Sequence, residues 1–340
     1  MNLQQLPHWT YAYGTPSGTG GIRHLPEDFI VEETLAFEPS GSGEHVFLQI
    51  QKTGENTEFV ARQLARFAGV RQRDIGYAGL KDRHAVTTQW FSVWLPKGEE
   101  PNWQDFSTPS IQILLVTRHA RKLKRGVLAN NRFEITVKNW QGDKEKTFEQ
   151  LTQLQRHGVP NYYGSQRFGH AGQNVVKAAA MFAGEKVGRE QRSLYLSAAR
   201  SFLFNEILAA RIEQNSWNQG LAGDVLMIDG SHSCFAVEEI DDDIRARLTQ
   251  NLLHPTGALF GSGVTKISAK AFELEQQVFE KYPELTAGLL KFEVENARRA
   301  LRVQAANLTW EFKDEKTLVL KFNLPAGSYA TAVLREIIAL

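Results

Sequence analysis

Asp82 stands between Lys81 and Arg83, with His84 next in line, inside a stretch that opens on Gly76 and Gly79 and runs to Gln89. A carboxylate flanked by two cations is held in its ionised form. Such a group suits a nucleophile or an electrostatic stabiliser better than an acid. The two glycines allow tight backbone turns ahead of it. The same residues also suit a solvated, charged surface turn. A second stretch, residues 160–170, interleaves Tyr162, Tyr163, Arg167 and Phe168 with Gly164 and Gly169. That mixture fits stacking on bases and contact with phosphates, or equally a packed loop with buried aromatics. A third stretch, Arg118 to Arg125, places five Lys or Arg in eight positions. These could neutralise phosphates or form a solvated face. Arg298, Arg299 and Arg302 lie at helical spacing and read as a solvated helix face. In residues 325–331, Tyr329 offers a flat, rigid ring among small residues, with Ser328 or Thr331 as a helix cap. Tyr329 packed inward is the alternative.

Elements that must position these residues are visible in the periodicity. Val46, Leu48 and Ile50 alternate, as do Phe133, Ile135 and Val137 against Arg132, Glu134, Thr136 and Lys138, so both runs read as half-buried strands. Residues 89–94 and 111–116 are two further β-rich runs. Leu308, Trp310, Phe312 and then Leu318, Leu320, Phe322 alternate around Asp314 and Glu315, the pattern of a hairpin. Helices are expected at 58–68, capped by Asn56 or Thr57 and stopped by Gly69, and also at 194–211 and 330–340. The middle, 157–303, reads as mostly helical. It separates a β-rich N-terminal part from a β-rich C-terminal part, as an inserted domain does. The expected class is α+β, with largely antiparallel sheet covered by helices.

Composition narrows the field. With 340 residues, 42% hydrophobic and 23% charged, the chain is ordinary for a soluble globular protein of one or two domains. A net charge of +1 leaves no global footprint for nucleic acid, so an RNA site must be a local patch. The single cysteine, Cys234, excludes an intrachain disulfide and a cysteine zinc site and fits a reducing, cytoplasmic setting. The nine histidines form neither HxxxH nor HExxH, so metal catalysis finds no support in the pattern. The N-terminal residues do not read as a signal peptide, and no run has the roughly 18 apolar residues of a membrane helix. The residues alone thus describe an α/β protein whose stretches fit contact with RNA or, as well, packing and solvation, without naming a reaction.

Taken in order, several pieces resemble the tRNA pseudouridine synthase D family. They are residues 26–33, 43–45, 76–89, 158–169, 196–201, 204–205 and 324–336, with Lys81-Asp82-Arg83-His84-Ala85 and 161–169 the most specific. The resemblance implies a pseudouridine synthase catalytic domain at 1–156 and 304–340, with the family's own domain inserted at 157–303. It implies conversion of uridine 13, in the D arm of tRNA, to pseudouridine with no cofactor and no metal. It also implies a cytoplasmic, monomeric enzyme that needs no protein partner. Carried over residue by residue, Asp82 is the nucleophile and Tyr329 stacks on the target base. Tyr329 is a departure, since the family usually has Phe there. Phe29 lines the uracil pocket, with core packing as the alternative for it and for Phe133. Asn131 is a polar contact to the nucleotide. Arg23 stands where the family often has Lys near the active Asp, and could hold Asp82 ionised with a different geometry. The competing readings are an RNA-binding protein of the same fold without catalysis, a nucleoside hydrolase, and an RNA chaperone.

Overall fold

The computed structural model describes residues 6–96 and 100–339. The strands are β1 (Gly18–Gly21), β2 (Phe29–Leu35), β3 (His45–Thr53), β4 (Ile75–Tyr77), β5 (Val86–Trp94), β6 (Ile111–His119), β7 (Leu128–Gly142), β8 (Val159–Pro160), β9 (Val225–Ile228), β10 (Cys234–Ala236), β11 (Leu253–Leu259), β12 (Ala297–Ala300), β13 (Arg302–Val303), β14 (Ala306–Asp314) and β15 (Thr317–Pro325). The α-helices are α1 (Thr57–Phe67), α2 (Lys144–His157), α3 (Gln173–Phe182), α4 (Arg189–Glu213), α5 (Asp242–Thr249), α6 (Ala269–Glu280), α7 (Pro283–Lys291) and α8 (Ala330–Leu334). They gather into two compact units. One comprises Gly18–Asp143, Ala306–Gly327 and Ala339; the other comprises the residues up to Ser17, Lys144–Ala305 and Ser328–Ile338.

The first unit is built on one sheet with strand order β14-β15-β7-β2-β5-β3-β6, to which β1 adds on β7 and β4 on β5. Every neighbouring pair here is antiparallel except β2 with β5. The expected strands therefore form, and so does the hairpin, whose Trp310 pairs with Leu320 and Phe312 with Leu318. Helix α1 starts where Asn56 accepts the Phe59 N–H at 2.7 Å, and it ends ahead of Gly69, whose φ of 65° suits glycine. Its buried Val60, Ala61 and Leu64 pack with Val46, Leu48, Ile50, Phe91 and Val93 of the sheet.

Paired residues share a face of the sheet. Register places Phe29 beside Ile135, Val31 beside Phe133 and Glu33 beside Asn131. On β5, Thr87 lies between Val31 and Lys52, and Gln89 lies beside Ile50. One face therefore carries the apolar core and, interrupting it, the polar set Glu33, Asn131, Thr87, Gln89 and Lys52. Burying such groups is costly unless they find partners, so their partners indicate what the face is for.

The second unit is rich in helices, as the middle of the chain suggested, but it also holds a sheet, β10-β9-β11-β12, and the short pair β8–β13. The expected helical arginine face is overturned. Arg298 and Arg299 lie on β12 and Arg302 on β13. Arg298 pairs with Glu275 at 2.9 Å, while buried Arg302 donates to the Leu248 and Leu253 carbonyls and to His254 Nδ1. The expected helix at 330–340 ends at Leu334, and Ile338 and Ala339 are extended. Neither Ser328 nor Thr331 caps it. Tyr329 is the N-cap residue and makes no side-chain cap bond. Among the described residues, no helix is long and apolar enough to cross a membrane.

Candidate active site

Asp82 lies in the connection between β4 and β5. That connection is tied to the sheet beneath it. Gly76 pairs opposite Ser92, and a Cβ there would collide with the Leu123 carbonyl and the Ser92 hydroxyl, so close approach explains this glycine. Gly79 has neither positive φ nor a close neighbour, so its place in the stretch has no such reason. Beyond it, Gln89 donates to the Gly79 carbonyl at 2.5 Å, and Thr57 donates to Gln89 Oε1 and accepts the Lys81 N–H, both at 3.0 Å. Lys81 does not flank Asp82 as a free cation. It turns inward to Glu33, Nζ to Oε2 2.7 Å, both side chains being buried. Burial raises the Glu33 pKa and Lys81 lowers it, with burial the larger.

The cation on Asp82 comes from elsewhere. Arg23 Nη2 donates to Asp82 Oδ2 at 2.5 Å, with both side chains about one third exposed (27% and 34%). The Arg23 guanidinium also lies 4.2 Å from the centre of the Phe29 ring. Arg23 has φ 61°. Left-handed backbone costs an ordinary residue about 1–2 kcal/mol and persists where surroundings impose it. Phe29 and Phe133 are buried edge to face at 6.2 Å, and Phe133 stacks on Phe322 at 5.4 Å. The sheet unit thus brings Asp82, Arg23 and Phe29 together, with Phe133 behind. Asn131 sits on the same sheet face next to Glu33. Its Oδ1 is buried without a hydrogen-bond partner. An unpaired buried acceptor is expensive to maintain.

Tyr329 belongs to the second unit, and its surroundings lie there. Arg167 donates to its hydroxyl from Nε at 3.1 Å and from Nη2 at 2.8 Å, and donates from Nη1 to Ser197 at 3.0 Å. Tyr163 meets the Tyr329 ring edge on at 5.9 Å, with the Arg299 guanidinium 4.2 Å from the Tyr163 ring centre. Tyr162, Tyr163 and Phe168 are all buried. The aromatics of 160–170 therefore pack the loop that carries Arg167, which reaches Tyr329 at the start of α8, and are not open platforms for bases. Because Arg167 already engages the hydroxyl, Tyr329→Phe is expected to retain most turnover, within about tenfold for one lost charge-assisted bond at a half-exposed site. A loss of several hundredfold in single-turnover rate would instead give the hydroxyl a proton-transfer role.

Lys52, Glu33, Thr57 and Gln89 were not singled out from the sequence, although a signal existed. Continuing the alternation Val46, Leu48, Ile50 by one step places Lys52 on the inner face, and Phe29, Val31 does the same for Glu33. A charge at an expected core position was the clue. No group of three or more His, Cys, Asp or Glu among the described residues is arranged to hold a metal.

Comparison with known proteins identifies the fold and the family. A solved chain from Methanosarcina mazei, named for tRNA pseudouridine synthase D, superposes with a TM-score of 0.75 at 22% identity, covering 98% of this chain and 96% of that one. The architecture is that of the pseudouridine synthase class, a largely antiparallel mixed fold. Residues 6–181 and 173–337 match the family described as tRNA pseudouridine synthase D (TruD). Proteins called tRNA pseudouridine synthase D from Methylococcus capsulatus and Hydrogenovibrio crunogenus are 48% and 44% identical to this chain. The matches cover 96% and 99% of it, and 93% and 97% of those relatives. The chain belongs to the tRNA pseudouridine synthase D family.

Proposed function

We propose that this protein isomerises uridine 13 in the D arm of tRNA to pseudouridine, with Asp82 as nucleophile and without a cofactor. The observation that carries the reading is the Arg23–Asp82 pair, set beside the buried Phe29. Arg23 engages Oδ2 of Asp82, and Oδ1 has no hydrogen-bond partner among the described residues. An ionised carboxylate with one oxygen anchored and one available can attack C1′ of the ribose or take a proton from the sugar. Either way the N1–C1′ bond breaks, the uracil turns and a C5–C1′ bond forms, with release of the Asp82 ester or, by the second route, return of the proton to the sugar; the proton on C5 then leaves and N1 takes one up, so the product is an isomer of the substrate. The target nucleotide must leave its stack, at a cost of a few kcal/mol. Exposed Leu25 and Leu80, each two residues from Arg23 and Asp82 respectively, offer apolar surface to an unstacked base. Asn131 supplies an acceptor for an N–H of the uracil, and Tyr329 a ring for stacking. The same reading assigns 1–156 and 304–340 to the catalytic domain and 157–303 to the insertion. The return of the chain to the sheet at Ala306 supports the second boundary. It further makes the enzyme a cytoplasmic monomer that acts without a protein partner.

The test is incubation of purified protein with unmodified tRNA, followed by chemical mapping of pseudouridine. Pseudouridine at position 13, with no free uracil released, is the expected result. Free uracil would assign a nucleoside hydrolase, and bound tRNA without pseudouridine would assign an RNA-binding protein.

A further inference from the structure

Lys52, next to last in strand β3, lies on the inner face of the sheet and is 1% exposed. Among the described residues no carboxylate forms an ion pair with it. Its ammonium donates instead to two main-chain carbonyls, Glu55 O at 2.6 Å and Asp82 O at 3.2 Å. It leads a series of ties between its own turn and the Asp82 loop. The Gly54 N–H donates to Ala85 O at 3.4 Å, Arg83 Nε donates to Gly54 O at 3.2 Å, and the Lys81 N–H donates to Thr57 Oγ1 at 3.0 Å. A lone buried cation is among the most costly side chains to place in a core. A sheet needing only to be stable would carry Leu or Met at this position. The cost makes sense where the cation fixes a backbone that must not move.

We propose that Lys52 is a positioning residue for the reaction, its buried ammonium holding the main chain of Asp82 so that the carboxylate meets the ribose. This rests on the reading of Asp82 as nucleophile. The carboxylate is oriented from two sides, by Arg23 at the side chain and by Lys52 at the backbone. Facing Lys52 are Asp82, itself paired with Arg23, Lys81, itself paired with Glu33, and Glu55. Burial brings the Lys52 pKa down to about 8, with Asp82 and Glu55 opposing and Lys81 adding to the fall. Above that pH the group becomes a neutral amine and a weaker donor.

Lys52→Met keeps the length and removes the charge and both hydrogen bonds. With unmodified tRNA as substrate, kcat is expected to fall about 100-fold, the scale of a small misplacement of a reacting group. KM should stay within about threefold, because the residue does not touch RNA. Lys52→Gln, a neutral donor of similar reach, should fall between Met and wild type. The wild-type kcat should decline as pH rises through about 8, a limb that the Gln variant lacks. Folded Met and Gln variants with wild-type kcat would overturn the proposal, as would a change confined to KM. If the Met variant does not fold, the Gln variant and the pH limb still decide. Asp82→Asn is assayed alongside. An active Asp82→Asn would remove the nucleophile reading itself, whereas an inactive one beside an active Lys52→Met would remove only the role of Lys52.

Discussion

Asp82→Asn is expected to abolish turnover while leaving tRNA binding within about threefold of wild type. The amide keeps the size of the side chain but has neither the charge nor the nucleophilic oxygen that the chemistry needs. Loss of a group that no neighbour can replace costs about 10⁴-fold or more in kcat. Nothing else in the loop should move. The loop is held by Gln89, Thr57 and Lys52 through main-chain atoms, not through the Asp82 carboxylate. Nor should stability change much, since the Arg23–Asp82 pair is about one third exposed and such pairs contribute roughly 0–1 kcal/mol. Pseudouridine formed in a single turnover and tRNA retention on a filter measure the two quantities. Wild-type turnover by the variant would take Asp82 out of the mechanism. Weakened binding with an unchanged rate would make it an RNA contact.

The second large effect concerns folding, far along the sequence from Asp82. Arg211 and Asp224 form a two-fold hydrogen-bonded pair, Nη1 to Oδ1 2.8 Å and Nη2 to Oδ2 2.7 Å, with side chains 1% and 0% exposed. Arg211 also donates to the Ser216 carbonyl at 2.8 Å and Asp224 accepts the Leu221 N–H at 2.7 Å. The pair thus closes the connection from α4 to β9. Asp224→Ala leaves the guanidinium buried without its counter-charge and is expected to lower the stability of the helical unit by about 3–5 kcal/mol. Replacing both partners together, Arg211→Met with Asp224→Leu, should cost much less, because no buried charge is left alone. Urea denaturation followed by circular dichroism compares the two. A single-variant loss below about 1 kcal/mol, or a double variant as damaged as the single, would show that the pair is not what secures this connection.

Much of the fold was legible because alternation and 3.6-residue spacing report which face a residue buries. Strands β3, β5, β6 and β7, the β14–β15 hairpin, α1 with its Asn56 cap and the core of α4 all stand where periodicity placed them. The failures have specific causes. Arg298, Arg299 and Arg302 repeat at an interval that a helix face shares with a β segment broken by a turn. What decides between them is Glu275, the Leu248 and Leu253 carbonyls and His254, partners distant in sequence. The helix at 330–340 was extended through Ile337 and Ile338, β-branched residues of which the first lies in a turn and the second in extended chain instead. The sheet β10-β9-β11-β12 was missed because its strands are short runs whose pairing, Leu253 with Ile228 and Thr256 with Ala300, is non-local.

The candidate site divides in the same way. By themselves the residues of 76–89 determined the loop, the unusual Asp and the family, since a long motif is a local property of the chain. The alternation of Val46, Leu48 and Ile50 and of Phe133, Ile135 and Val137 determined that the sheet would have one buried face. Neither determined which cation serves Asp82. Sequence neighbours suggested Lys81 and Arg83, yet Lys81 turns inward to Glu33, Arg83 reaches the Gly54 carbonyl, and Arg23, 59 positions away, takes the carboxylate. Which charges meet is settled by strand order and register, which bring β2, β3 and β5 side by side and lay Lys52 beneath the loop. Charge attracts over a few ångströms of space and not along the chain, so only the tertiary structure could assign these partners.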